Sequence, residues 1–351
     1  MSAENTQQPV LPWGPIYNIQ RSGLPEVSVQ GIVYIWAEDR TLYDNFGRSL
    51  LRIGDTHAPL WSRSLLKPFQ LMVLYPSLKA AYPQLTEKHF ALMSASHSGD
   101  PEQLQLLREI LRLGDLRLSD LQCAACRAMN GKASDEKSPL NHPCAGKHLA
   151  HLLYQKSKGL PPQSYLSPEM EAYQRLRQLL NYLLGKDSLA ETVDGCGMPN
   201  YEMNAVETAQ LYHALVMPVG RDLARQAPDE LTDILSGWDE ISDLIRHNPT
   251  LIGGQNRLDT RLMSQFTAPD VKLIAKEGAD GLLALGLGPH PQFAGGLGLF
   301  IKVASGYEPK QLELIVQALL VQLGLSQPGP QENGILETCF QFDLSGVSIQ
   351  A

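Results

Sequence analysis

Ser64-Leu65-Leu66-Lys67, inside the stretch Trp61-Ser62-Arg63-Ser64-Leu65-Leu66-Lys67-Pro68-Phe69-Gln70, sets a hydroxyl and an amine three residues apart. On a helix, positions i and i+3 share a face, so the two side chains can serve as a nucleophile and its base. A serine hydroxyl attacks poorly until a neighbour removes its proton, and a neutral lysine amine does this where no histidine is in place. With an ordinary pKa of ~10.4, only about one lysine in a few thousand is neutral at pH 7. Burial or a second cation must therefore lower that value. The plainer alternative is a helix start with Ser62 or Ser64 as its N-cap.

Four further stretches could complete such a site. In His89-Phe90-Ala91-Leu92-Met93-Ser94-Ala95-Ser96-His97-Ser98-Gly99-Asp100 an apolar element gives way to small polar residues, the pattern of a pocket-lining loop. Its hydroxyls and imidazole could orient a carbonyl or amide; alternatively, Ser98-Gly99-Asp100-Pro101 is only the turn into the next helix. Asn141-His142-Pro143-Cys144-Ala145-Gly146-Lys147-His148 pairs with Thr192-Val193-Asp194-Gly195-Cys196-Gly197-Met198-Pro199, each placing one cysteine in a polar turn. Thiolates are good zinc ligands, and a catalytic zinc takes three protein ligands and leaves one position open. His142, His148, Asp194 and Lys147 are the local choices for the third, lysine only as the neutral amine. A rival set joins Cys123 and Cys126 with Cys144 and His148. Finally, Lys272-Leu273-Ile274-Ala275-Lys276-Glu277-Gly278-Ala279-Asp280-Gly281 reads as a strand delivering Lys276 to a glycine turn, which supplies the second cation. A late lysine facing S-x-x-K resembles the layout of the penicillin-recognising serine hydrolases, although Glu277 stands where their K-T-G has threonine.

Elements to hold these groups follow from periodicity. The first dozen residues are polar, and regular structure is expected to begin near Ser28, leaving 1–27 as a partly disordered extension. Ile32-Val33-Tyr34-Ile35-Trp36 and Thr41-Leu42-Tyr43-Asp44-Asn45-Phe46 read as strands around a turn at Glu38-Asp39-Arg40. From Ser64 to about Met263 the spacing is helical, over Leu65–Leu78, Glu87–Ser94, Glu102–Leu113, Leu149–Ser157, Pro168–Leu184 and Ala205–Val216. Strands return at Val271–Ala275, Leu282–Leu287 and Gly298–Ala304, then a helix at Pro309–Leu323 and a strand near Leu336–Phe342. The expected fold is α/β of the α+β type: an antiparallel sheet from both chain ends (28–60 and 268–351) with a helical lobe (61–267) inserted, together one catalytic unit, 28–351.

Composition narrows the function classes. At 351 residues, 43% hydrophobic and 19% charged, the chain suits an enzyme-sized globular body. A net charge of −8, from 29 basic and 37 acidic residues with no long basic run, argues against nucleic acid and anionic membranes as partners. Met1-Ser2-Ala3-Glu4-Asn5-Thr6 has no signal-peptide character, and the apolar stretch Leu282–Ile301 is interrupted by glycine and proline, so a cytoplasmic protein is expected. Five cysteines, an odd number, then fit free thiols or metal ligands better than disulfides.

Taken in order, Arg63-Ser64-Leu65-Leu66-Lys67-Pro68-Phe69-Gln70, Ala95-Ser96-His97-Ser98-Gly99, Cys144-Ala145-Gly146-Lys147-His148, Asp194-Gly195-Cys196 and Lys276-Glu277-Gly278-Ala279 resemble the Rhizobium etli-type, or class 3, L-asparaginases of the asparaginase II family. The resemblance spans roughly residues 28–305. It implies a serine β-lactamase-like fold, a homodimer, and hydrolysis of L-asparagine to L-aspartate and ammonia. It also implies two serine–lysine pairs, Ser64 with Lys67 and Ser96 with Lys276, and a zinc ion on Cys144, Lys147 and Cys196 beside the substrate. Asp194 would lie at the pocket, with Arg63, His97 and His148 as further substrate contacts. Ser94 and Ser98 compete with Ser96 for its place, and spacing leaves open which serine attacks. An acyl-serine, penicillin-binding or β-lactamase-like hydrolase, and a non-catalytic zinc scaffold, are the alternative classes.

Overall fold

The computed structural model describes residues 11–22, 24–38, 47–130, 136–266, 271–306, 309–327 and 336–338. Three strands open the chain, β1 (Gly14–Arg21), β2 (Leu24–Glu38) and β3 (Gly47–Ile53), followed by the short β4 (Leu60–Trp61). Helices α1 (Lys67–Ala81), α2 (Glu87–Met93), α3 (Pro101–Leu113), α4 (Ala145–Ser157) and α5 (Glu171–Leu184) come next, then strands β5 (Glu191–Val193) and β6 (Pro199–Met203). Helices α6 (Ala205–Val216), α7 (Gly220–Gln226), α8 (Asp229–Ser236), α9 (Trp238–His247), α10 (Pro249–Ile252) and α11 (Leu258–Gln265) follow. Strands β7 (Leu273–Gly278), β8 (Leu282–Leu287) and β9 (Leu297–Val303), helix α12 (Pro309–Gln322) and β10 (Leu336–Thr338) close the described chain.

The main sheet runs β10-β1-β2-β9-β8-β7, with β3 also on β2, and every pairing is antiparallel. Both chain ends therefore build one sheet, as expected, and the helices enter between them. Two details differ from the expectation. Among the described residues regular structure starts at Gly14, so the boundary at residue 27 falls inside β2. The signal was weak because β1 holds Pro15 at a register shift against β2, and a proline at a bulge masks a strand's alternation. The inserted region is also not all helical: β4, β6 and β5 form a second antiparallel sheet, too short to read from periodicity. The strand expected at Thr41–Phe46, its turn at Asp39 and Arg40, Cys339 and the chain beyond Thr338 lie outside the described residues.

Helix α6 ties the insertion to the sheet. Gly286 and Gly298 face each other across β8 and β9. A Cβ on Gly286 would stand 1.9 Å from the Tyr212 carbonyl oxygen, and one on Gly298 2.0 Å from that of Ala209. The helix backbone therefore lies directly on a glycine slot, which no side chain could enter. From this seat, the Tyr212 hydroxyl donates to the Leu65 carbonyl at 2.9 Å, fixing the turn that carries Ser64. The first nine residues of α1, Lys67 to Tyr75, are all buried, with Phe69 and Met72 at 0% exposure, so its first residue, Lys67, is held deep in the protein. Among the described residues no helix is long and apolar enough to cross a membrane.

Candidate active site

The residues singled out by type and spacing sit on five separate pieces of backbone. Ser64 lies in a 3-10 turn, Arg63–Leu66, directly before α1. Ser96 and His97 are in the loop between α2 and α3. Cys144 precedes α4 and Lys147 and His148 occupy its first turn. Asp194 and Cys196 form the turn from β5 to β6, where the Asp194 amide donates to the Met198 carbonyl at 2.8 Å and Gly197 takes φ +88°, a conformation suited to glycine. Lys276 lies on β7.

Lys67 is 1% exposed. Its Nζ lies 2.6 Å from the Ala95 carbonyl, 2.9 Å from Ser96 Oγ and 3.2 Å from the Pro143 carbonyl. The expected pairing of Ser64 with Lys67 is therefore not the one formed. Two buried carbonyls draw the ammonium towards the Ser96 loop, while the Ser64 hydroxyl, half-buried, makes no hydrogen bond among the described residues. Burial, opposed by Cys144 and reinforced by the charges of Lys147 and Lys276, lowers the Lys67 pKa to about 8. At pH 7 about one molecule in ten then carries a neutral amine, a gain of more than a hundredfold over an exposed lysine. The second cation that the S-x-x-K reading demanded is present twice.

Lys276, expected beside Ser96, acts on Lys67 by its charge and is itself bound to groups that sequence reasoning passed over. Its Nζ lies 3.4 Å from Asp259 Oδ2 and 3.0 Å from the Glu277 carbonyl, with both side chains at or below 1% exposure. Asp259 Oδ2 also accepts from the Glu277 amide at 3.2 Å, and Asp259 Oδ1 from the Thr260 amide at 3.0 Å. Glu277, which replaces the analogous threonine, accepts from Arg257 Nε at 2.8 Å and from the Leu258 amide at 3.1 Å. Burial lowers the Lys276 pKa while Asp259 opposes that shift; Asp259 in turn falls below the usual range because Lys276 and Arg257 outweigh its burial. The only hint in sequence was opposite charges at Arg257, Asp259, Lys276 and Glu277, with nothing to show that they meet.

Arg63 and Asp194 do come together. Arg63 adopts φ +49°, unusual for a residue with a Cβ, and its Nε donates to Asp194 Oδ1 at 2.8 Å while the far end of the guanidinium pairs with Asp280. Asn200, another residue that sequence reasoning missed, holds this turn: its Oδ1 accepts from Ser62 Oγ at 2.8 Å and from the Arg63 amide at 3.0 Å.

The cysteine turns also meet. Cys144, Cys196 and Lys147 lie close enough to shift one another's protonation. The neighbouring Cys196 thiol, with the charges of Lys67 and Lys147, holds the Cys144 thiol well below its ordinary range despite burial, while Cys196 is pushed up. One thiolate, one thiol and the Lys147 ammonium, whose pKa Cys144 and Cys196 raise despite burial, thus converge, a donor set that fits a borderline-soft cation such as zinc once the remaining protons are displaced. Among the described residues no three His, Cys, Asp or Glu side chains are placed to hold a metal ion. The rival set of Cys123, Cys126, Cys144 and His148 is therefore not assembled: Cys123 Sγ donates to the Pro139 carbonyl at 3.5 Å, and Cys126 bridges to Ser138.

His97 and His148 are both fully buried, and neither Nε2 has a partner among the described residues. The Tyr165 hydroxyl accepts from the Gln122 amide at 2.8 Å and shares a 2.6 Å hydrogen bond with His148 Nδ1. Burial, with Lys147 nearby, drives the His148 pKa down to about 2, and burial beside Lys67 takes His97 to about 4. Both rings are neutral at pH 7 with an Nε2 free for a ligand or water. A surface cavity of about 690 Å³ between α1, α2 and α9, lined by Tyr75, Tyr82, Phe90 and Glu240 among others, includes none of these groups.

A family model described as L-asparaginase II matches residues 18–346. No curated protein matches the chain. A probable glutaminase from Bacillus subtilis is 13% identical, with 85% of this chain and 86% of that one covered and a TM-score of 0.38. A β-lactamase from Xanthomonas campestris is 14% identical over 82% and 91% of the two chains, with a TM-score of 0.37. A class A β-lactamase from Mycobacterium abscessus is 11% identical over 84% and 94%, with a TM-score of 0.35.

Proposed function

The chain belongs to the L-asparaginase II family, and from that premise we propose that it hydrolyses the side-chain amide of L-asparagine to L-aspartate and ammonia through Ser64, Ser96 and Lys67. The amidohydrolase class follows from the family; substrate and mechanism are our reading. The observation that carries it is the buried Lys67 amine, pKa about 8, at 2.9 Å from Ser96 Oγ. A base poised near neutrality within hydrogen-bond reach of a serine is the arrangement that nucleophilic catalysis requires.

In this proposal Ser64 Oγ, half-buried and unbonded, attacks the side-chain amide carbon, and the Ser96–Lys67 pair receives its proton. The Lys67 ammonium returns a proton to the leaving nitrogen, which departs as ammonia and leaves an aspartyl ester on Ser64. Water then attacks the ester with the same base, releasing aspartate. Lys276 stays a positioned charge, because Asp259 occupies it. Arg63, Asp194, His97 and His148 orient the amino acid's polar groups. Cys144, Lys147 and Cys196 would hold zinc, which when bound supplies a Lewis-acid grip on those polar groups. The homodimer and the cytoplasmic setting belong to the same reading.

A second reading, favoured by the 2.9 Å bond itself, makes Ser96 the nucleophile. One experiment separates them: ammonia release from L-asparagine, with L-glutamine as competitor, followed by peptide mapping of the adduct formed with a diazo-ketone analogue of asparagine. Ammonia release with the adduct on Ser64 supports the proposal, and an adduct on Ser96 moves attack to that serine. Folded, zinc-loaded protein that releases no ammonia and forms no adduct would sink both.

A further inference from the structure

Gln103 stands in the first turn of α3 and is 1% exposed. Its Oε1 accepts from three consecutive backbone amides, Ser98 at 3.1 Å, Gly99 at 3.1 Å and Asp100 at 3.0 Å. Its Nε2 donates to the Thr250 carbonyl at 3.0 Å and the Leu251 carbonyl at 3.3 Å. A primary amide has two donors and one acceptor oxygen, and here all of them are spent on main chain. One side chain thus stitches the loop carrying Ser96 to helix α10, more than 140 residues away in sequence.

The two segments so joined also hold each other at the reacting residue. The Ser96 amide donates to the Ile252 carbonyl at 2.9 Å, and Ser98 Oγ to the Gly253 carbonyl at 2.8 Å. The Ala95 carbonyl and Ser96 Oγ, both on this loop, are two of the three acceptors of Lys67. The position of Ser96 against its base therefore depends on α10, and α10 is held at the loop by Gln103.

We propose that Gln103 is a positioning residue that sets Ser96 on Lys67 by locking the Ser94–Asp100 loop to α10. The catalytic consequence rests on the amidohydrolase reading above; the mechanical claim does not. Glutamine suits the task because it must accept on one side and donate on the other while uncharged. Glutamate would keep the three amide contacts but turn an anionic oxygen towards the Thr250 and Leu251 carbonyls, and methionine, similar in length, would lose all five bonds. A displacement of about 1 Å between reacting groups costs on the order of 100-fold in rate.

The test takes the full chain as wild type, Gln103→Glu and Gln103→Met, and measures hydrogen exchange together with asparagine turnover. The informative amide is that of Ser96, which Gln103 does not touch. Expected are faster exchange at Ser96 with α1 and the main sheet as protected as before, and a kcat fall of about 100-fold with KM nearly unchanged. A kcat deficit of Gln103→Glu, measured against wild type at the same pH, that narrows as the pH falls and the carboxyl becomes protonated would support the same conclusion. Unchanged Ser96 exchange in a folded variant overturns the proposal, and so does faster exchange with kcat intact. Wild type that releases no ammonia, beside variants whose Ser96 amide has loosened, leaves the lock standing and fails the asparaginase reading alone. If Gln103→Met does not fold, Gln103→Glu decides.

Discussion

Lys67 and Ser96, 29 residues apart in sequence, are joined by a 2.9 Å hydrogen bond in the protein interior. The lysine of S-x-x-K is thereby bonded to the serine of another loop and not to the serine of its own motif. A base bonded to one hydroxyl can receive a proton that reaches it through that hydroxyl from a second serine.

Removing either serine should cripple turnover, but differently. Ser64→Ala is expected to lower kcat by at least about 10³-fold and abolish the covalent adduct, while Ser96→Ala should cost about 10²-fold and leave slow adduct formation on Ser64. Steady-state ammonia release and mass spectrometry of the trapped enzyme read both.

The pH profile should report Lys67. Its amine must be neutral to accept a proton, and burial holds its pKa at about 8. Activity is therefore expected to rise about tenfold per pH unit below that value and to level off above it, in kcat/KM measured from pH 5.5 to 9.5. Bound zinc, as a further nearby cation, would move the midpoint down. A flat profile across pH 6–8 would contradict the lysine-base assignment.

Asp259 should be a stability residue as well as a partner of Lys276. Its pKa is lowered in the fold, so its contribution is full above the unfolded carboxylate value of ~3.9 and is lost as pH falls through the lower folded value. Asp259→Asn leaves a buried ammonium unpaired and is expected to cost about 3–5 kcal/mol in urea unfolding at pH 7. The double change Asp259→Asn with Lys276→Met should recover part of that loss; a double variant no more stable than the single would refute the pairing.

Zinc should follow the thiols. Cys144→Ala and Cys196→Ala are expected to lose bound zinc after dialysis, read by elemental analysis, and to raise KM more than they lower kcat, because the serine remains the nucleophile. A collapse of kcat with KM unchanged would point to a metal-bound hydroxide as the attacking group.

The glycine slot under α6 makes a purely structural forecast. Gly286→Ala or Gly298→Ala puts a methyl group within about 2 Å of a helix carbonyl oxygen that cannot swing aside. A loss of about 3 kcal/mol is expected by denaturant titration, with activity falling because Tyr212 anchors the Ser64 turn.

The sequence by itself determined what repeats over short distances. Helix α6 runs Ala205–Val216 and β8 Leu282–Leu287, as their periodicity predicts, because burial of one face imposes a 3.6- or 2-residue pattern on the chain. The chemical inventory was legible too, since serine, lysine and cysteine in glycine-punctuated turns are visible wherever they occur. Only the tertiary structure decided who partners whom. Lys67 turned to Ser96 because the Ala95 and Pro143 carbonyls were there to solvate a buried ammonium. Lys276 turned to Asp259 because a buried cation takes the buried carboxylate that can neutralise it. The closure of Cys144 against Cys196, and the Gln103 stitch to α10, likewise depend on segments far apart in sequence. Local spacing carries no record of such choices: they are settled by competition among buried polar groups for the few partners within reach, after the backbone has brought those groups together.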